Sequence, residues 1–197
     1  MHPTSRSINF FGENPTPYAS WKLIGVGGMG RVFQTDTGNV IKGITIAPYP
    51  YRHKSGAVHG IQLDGMDTIG LHVDGHHLPL TDDQYVSFRE GLFDYGISSE
   101  ALGVIGVSQV RDVNLFVHRG TLDLGIEMDL VEGEPVMQIS DLTYADVGRI
   151  VADVGMALQD CHDLGIVHRD VTPNNIMYLV AKAAGTGRTT LIDFGIA

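Results

Sequence analysis

The sequence predicts an α+β chain in two parts: an antiparallel sheet with one helix, then a smaller part with one long helix and β-hairpins. Three observations carry this. Residues 21–44, "WKLIGVGGMGRVFQTDTGNVIKGI", alternate short β-branched and aromatic runs with glycine turns and fit no helical period. Residues 140–165, "SDLTYADVGRIVADVGMALQDCHDLG", repeat apolar residues at helical spacing. Two short β-type runs, "NIMYLV" and "TTLIDF", then follow across a glycine-containing connection. The parts divide as 21–131, with an insertion at 45–80, and 132–197; residues 1–20 stand apart.

The first twenty residues are polar, with three prolines and several Ser, Thr and Asn. They read as a mobile or extended segment, and their composition also suits an export signal. Strands are expected at Trp21–Gly25, Arg31–Thr35 and Asn39–Ile44, with "TDTG" turning between the last two. Residues 45–80 hold five of the nine histidines and much Gly and Pro. The spacing of His72, His76 and His77 matches no helical zinc signature, so a loop or short hairpin is expected there. "TDDQYVSFREGLFDYG" reads as a helix: Thr81 and Gln84 form a capping box, and Tyr85, Phe88, Leu92 and Tyr95 share a face. Strands follow around Gly103–Arg111 or Val113–His118, then at Leu122–Val131. In the long helix, Thr143 is placed to cap the start and Gly165 to end it. Val147, Ile150, Val151, Val154, Leu158 and Cys161 are expected to form its apolar face, with Cys161 a core thiol.

The bulk numbers narrow the function classes. The chain has 197 residues, is 43% hydrophobic and carries a formal net charge of −10. An acidic chain without Lys/Arg runs is a poor partner for nucleic acid or anionic membrane. No apolar run approaches the roughly 20 residues that span a bilayer. With the single Cys161, no intramolecular disulfide can form. A monomer is expected.

Four motifs carry chemistry. "GVGGMG", Gly25 to Gly30, is a G-x-G-x-x-G run flanked by strands on both sides. A glycine loop between antiparallel strands lets backbone N–H groups approach phosphates; a dinucleotide fold would instead open a helix there, and an ordinary hairpin turn is the plainer alternative. "NVIK" puts Lys42 in an apolar strand, where a cation needs an anionic partner. ATP phosphates and a helix carboxylate would serve, the latter from Glu90 or Glu100. In "HRDVTPNN", Asp170 and Asn175 are five apart with Pro173 between them. The carboxylate can take a hydroxyl proton while the amide oxygen binds Mg²⁺. "IDFG" supplies Asp193 as a second oxygen ligand for that hard cation.

From Trp21 to its end the chain resembles a eukaryotic-type protein kinase, with all four motifs in family order. The resemblance implies a minimal bilobal protein-kinase-like fold with a truncated C-lobe. It implies that ATP and Mg²⁺ are used, with Asp170, Lys42, Glu90 and Asn175 as the catalytic set and Asn175 and Asp193 on the metal. Nucleotide contacts fall on Gly25, Gly27, Gly28, Gly30 and Lys42, with Ile24, Val32, Val40 and Met177 around the adenine. "IEMDLVEG" is similar to a kinase hinge, with Met128 as gatekeeper and Asp129 and Val131 offering backbone hydrogen bonds. Thr172, Met29 and Val40 depart from the usual Lys, aromatic and Ala.

The sequence ends at Ala197, two residues past "DFG". On the kinase reading it holds no activation segment and no later helical lobe, and Arg169 has no loop phosphate to bind, so activity without priming phosphorylation is expected. In this it is similar to the HopBF family, minimal kinases among bacterial type III effectors that phosphorylate the eukaryotic chaperone heat-shock protein 90. That likeness implies secretion into the host cytosol and capture of the chaperone by client mimicry. Two other readings stay open: an ATP-binding pseudokinase or interaction module, and a small-molecule phosphotransferase.

Overall fold

The computed structural model describes residues 21–27, 30–51, 61–63, 70–73, 76–118, 120–181 and 185–194. The expected polar segment at 1–20 lies outside them, as do Gly28 and Met29. The elements run β1 (Lys22–Gly27), β2 (Gly30–Gln34), β3 (Val40–Pro48), β4 (Ile61–Leu63), β5 (Gly70–Val73), β6 (His76–Pro79), α1 (Asp82–Glu100), β7 (Val110–His118), β8 (Thr121–Met128), β9 (Glu134–Pro135), α2 (Tyr144–Asp163), β10 (Ile176–Leu179) and β11 (Arg188–Leu191). They group into two compact units, Met1–Gly91 with Asp112–Glu127, and Leu92–Arg111 with Met128–Ala197. Residues 92–111, read from sequence with the first part, therefore group with the second.

The first unit is built on a five-stranded sheet in the order β1-β2-β3-β8-β7. β2 turns into β3 as "TDTG" predicts: Gly38 N–H donates to Thr35 O at 3.1 Å, and Gly38 sits at φ 86°. Val32 and Lys42 are cross-strand partners. Strand alternation puts Val40 and Ile44 on the same face as Lys42. α1 covers that face at Gly91, where a Cβ would stand 2.6 Å from Leu124 Cδ2 and 3.0 Å from Ile44 Cδ1. The helix approaches this closely because position 91 has no side chain. On the opposite face Phe33 and Phe116 are buried, and the Trp21 ring meets Phe116 edge-on at 5.7 Å.

The insertion is neither loop nor short hairpin but a three-stranded antiparallel sheet, β4-β5-β6. It starts later than residue 45, because β3 runs on to Pro48. Its strands bury Leu71, Val73 and Leu78, and the Tyr51 ring stacks on His76 at 4.1 Å. Four-residue strands carry too little alternation to stand out among glycines and histidines. No group of three or more His, Cys, Asp or Glu that could hold a metal ion occurs among the described residues.

α1 starts at the expected capping box: Thr81 N–H donates to Gln84 Oε1 at 2.9 Å, and Gln84 N–H to Thr81 Oγ1 at 3.3 Å. It runs one turn past the expected end, through Glu100. β7 spans both candidate strands in part, and β8 stops at Met128 rather than Val131.

In the second unit α2 packs on the sheet β11-β10-β9. Ile150, Val154, Ile176, Tyr178 and Leu191 form one core cluster; Ala101, Val107, Ala157, Cys161, Ile166 and Phe194 form another. Two residues of the expected α2 face are not in it: Val147 is 45% exposed and Val151 67%. The buried stripe is Asp146, Ile150, Val154, Ala157 and Cys161. Asp146 displaces the valines because hydrogen bonds hold it inward. It closes a capping box with Thr143, and its Oδ1 accepts from Tyr178 Oη and Gly185 N–H, both at 2.8 Å. These donors hold the Asp146 carboxyl far below the usual carboxylate range, the Thr143 hydroxyl most of all. α2 ends as expected, with Gly165 at φ 79° and its N–H on His162 O at 2.9 Å.

Cys161 is fully buried, and burial, with Asp160 second, pushes its thiol up. A buried, protonated thiol is a poor nucleophile. Native protein should therefore leave Cys161 unmodified by a disulfide thiol reagent that labels the urea-unfolded chain fully; rapid native labelling would contradict this.

Candidate active site

Each unit carries its own share of the sequence-predicted residues. In the first, Gly27 and Gly30 are cross-strand partners at the end of the β1–β2 ladder, and Gly25 pairs with Val32. Gly28 lies outside the described residues. Val32, Val40 and Lys42 share one sheet face. Ile24 is 44% exposed on β1, next to the irregularity between Leu23 and Gly25.

Neither Glu90 nor Glu100 is buried on α1. The carboxylate that α1 does bury is Asp94, 5% exposed, which accepts from Ser98 Oγ at 3.4 Å. Asp94 lies three residues beyond Gly91 on the buried stripe Phe88, Gly91, Asp94 and Ser98. The sequence reading considered only the glutamates Glu90 and Glu100 of this helix. A charge that a helix keeps out of water is held by polar partners.

The second unit brings Asp170, Asn175 and Asp193 together through one hydrogen-bond set. Asn175 Nδ2 donates to Asp170 Oδ2 at 2.7 Å and to Asp170 O at 3.0 Å. Asn175 N–H donates to Thr172 O at 2.9 Å, closing the turn that holds Pro173. Ile192, the residue before Asp193, donates its N–H to Asn175 O at 2.9 Å. Its carbonyl meets His168 Nε2 at 3.0 Å, and Asp170 N–H reaches His168 Nδ1 at 3.3 Å. A neutral imidazole protonated on Nε2 satisfies both contacts. His168 is 1% exposed and packs on Phe194, ring centres 4.4 Å apart.

β11 ends at Leu191, three residues earlier than read from sequence, which frees Asp193 from the strand. Asp193 sits at φ 67° and Arg169 at φ 62°. Left-handed backbone at two non-glycine residues, one preceding Asp170 and one following Ile192, is the kind of strain that marks functional loops.

The donor chemistry fits a hard cation. Because Asn175 spends its amide nitrogen on Asp170, its Oδ1 is the atom it can offer, and Asp193 adds a carboxylate. Mg²⁺ takes few protein oxygens when phosphates complete its shell. The residues expected as a hinge lie at and just after the end of β8. Asp129 N–H donates to Gln109 O at 2.9 Å and its carboxylate pairs with Arg111, so its own carbonyl is the group it can present. Met128, Val131 and, on β10, Met177 are half-buried.

Part of the chain is similar to known proteins. Residues 116–197 match the family model of the protein kinase domain. The serine/threonine-protein kinase PknI of Mycobacterium tuberculosis is 41% identical over 92 residues, covering 42% of this chain and 16% of PknI. The probable serine/threonine-protein kinase PknB of Corynebacterium glutamicum is 35% identical over 115 residues, 56% of this chain and 17% of its own length. The serine/threonine-protein kinase PknD of Mycobacterium tuberculosis is 25% identical over 198 residues, 98% of this chain and 24% of PknD. The fold is α+β and protein-kinase-like. The chain spans at most about a quarter of the length of these relatives. No helix of the described residues is long and apolar enough to cross a membrane.

Proposed function

We propose that the protein is an ATP- and Mg²⁺-dependent protein serine/threonine kinase. One observation carries the reading: Asn175 orients the Asp170 carboxylate with its amide nitrogen while keeping an oxygen for a cation, beside Asp193. Asp170 then accepts the proton of the acceptor hydroxyl as that oxygen attacks the terminal phosphoryl group of ATP. Within the first unit Lys42 and the glycine run are the candidates for the phosphates, and Ile24, Val32 and Val40 for the adenine; within the second, Met177 is the adenine candidate. Bound Mg²⁺ would neutralise phosphate charge, held by Asn175 and Asp193.

The finer reading is a secreted bacterial effector whose acceptor is heat-shock protein 90. What supports it is the similarity to the HopBF family stated above and the Ser/Thr/Asn-rich start. The test of both is transfer from labelled ATP with Mg²⁺ in eukaryotic lysate and to purified chaperone. One dominant labelled band at the chaperone's mass is expected, with poor labelling of short generic peptides. Equal rates on peptides and intact chaperone would remove the client-mimic reading and leave the kinase. ATP binding without transfer would favour a pseudokinase.

A further inference from the structure

Arg31 is the first residue after the glycine loop, and its side chain does not go to solvent with the charge. Its guanidinium Nη2 donates to Asp123 Oδ2 at 2.7 Å and to Thr45 Oγ1 at 3.3 Å. Asp123, on β8, is fully buried, and its Oδ1 accepts no hydrogen bond among the described residues. β2 and β8 are not neighbours; β3 lies between them. Arg31 is paired with Gly43 on β3, where the Phe33 and Phe116 rings fill the space a side chain would take, and the guanidinium meets β3 at the Thr45 hydroxyl. The Phe33 ring lies under the same guanidinium, 5.8 Å from its centre. The backbone makes a matching close approach. At Gly30, φ is 141°, and a Cβ would stand 2.3 Å from Gly43 O.

A buried carboxylate with one bare oxygen is a costly arrangement, and an apolar pair in its place would often be at least as stable. Stability alone is therefore a weak reason for this pair. What the pair does supply is direction. It fixes Arg31, the second residue of β2, and with it Gly30 at the C-terminal end of the glycine run, against two strands at once.

We propose that Arg31 and Asp123 are positioning residues for the nucleotide: their ion pair across β3 fixes Gly30, the last glycine of the run, for contact with the ATP phosphates. This rests on the reading of the loop as a phosphate cradle. Neither side chain touches ATP. Losing the pair loosens binding that is alike in ground and transition states, so KM for ATP rises and kcat does not fall.

The test compares wild type, Arg31→Lys, Asp123→Asn and the double variant Arg31→Met/Asp123→Leu. For each, the melting temperature, the Kd for a fluorescent ATP analogue with Mg²⁺, and KM and kcat are measured. The double variant removes the buried charge and should melt near wild type, yet bind the analogue and ATP roughly tenfold more weakly, with kcat within about twofold. Asp123→Asn, which keeps the shape, should show the same split, and Arg31→Lys should recover most of the affinity. A double variant or an Asp123→Asn protein with wild-type affinity for ATP would overturn the proposal and leave the pair a purely structural one. Wild-type protein that binds no ATP analogue would overturn the phosphate-cradle reading, and the proposal with it.

Discussion

Asp170→Ala is expected to lower phosphate transfer by about 10²–10⁴-fold, the usual loss when a positioned base is removed. The melting temperature should stay close to wild type, because Asp170 is half-buried and the fold does not use its carboxylate to close a core. Its Oδ2 is held by Asn175 Nδ2 at 2.7 Å. The same variant should keep its affinity for ATP, since Lys42 and the glycine run, not Asp170, are the proposed phosphate contacts. Single-turnover transfer from labelled ATP measures the first effect, and nucleotide titration the second. Asn175→Ala should lose both transfer and the Mg²⁺ dependence of nucleotide affinity, because it removes the orienting donor and one oxygen ligand together. Asp170→Ala protein that transfers at the wild-type rate would reject Asp170 as the base.

Asp146→Ala should give the largest stability loss, a fall in melting temperature on the order of 10 °C. The variant strands the Tyr178 hydroxyl and the Gly185 N–H, both of which donate to Asp146 Oδ1 at 2.8 Å, and opens the Thr143 cap. Tyr178→Phe removes only one of those bonds and should cost less. The pH dependence follows from the direction of the shift. Hydrogen bonds favour the ionised form, so the folded carboxyl titrates below its unfolded value. The stabilisation is whole above the unfolded value of about 4 and is lost as pH falls from there toward the folded one. Asp146→Asn should flatten this acid limb of the stability curve. An acid limb unchanged in Asp146→Asn would show that other carboxylates govern it.

Asp146 also shows where sequence reading stops. The stripe 146, 150, 154, 157, 161 and the stripe 147, 150, 151, 154, 158, 161 differ little in register, and hydrophobicity alone favours the second. The choice is made by Tyr178 and Gly185, which are distant in sequence and reach the helix only after β10 and β11 form. Asp94 escaped notice for the same reason: its burial depends on packing that begins at Gly91, not on its own type. The three-stranded insertion was hidden because its strands are short and their outward positions hold histidines.

What was legible was local. The caps at Thr81 and Thr143 are spacing rules within four residues. The Asp170–Asn175 pair is a five-residue turn whose chemistry is fixed by residue type. The strands flanking Gly25–Gly30 are set by β-branched content. Which helix carboxylate is buried, and which side chain steadies the glycine loop across an intervening strand, depend on contacts between distant segments.

Ile192 spends both of its backbone groups on the catalytic loop, its N–H on Asn175 O and its carbonyl on His168 Nε2. The proposed base and the proposed cation ligand thereby belong to one hydrogen-bonded stretch of backbone before any ligand arrives. The conformational entropy of aligning Asp170 with Asp193 is surrendered during folding, so metal and nucleotide need not supply it on binding. Protection of the Ile192 amide against solvent exchange should accordingly change little between the free and the nucleotide-loaded protein.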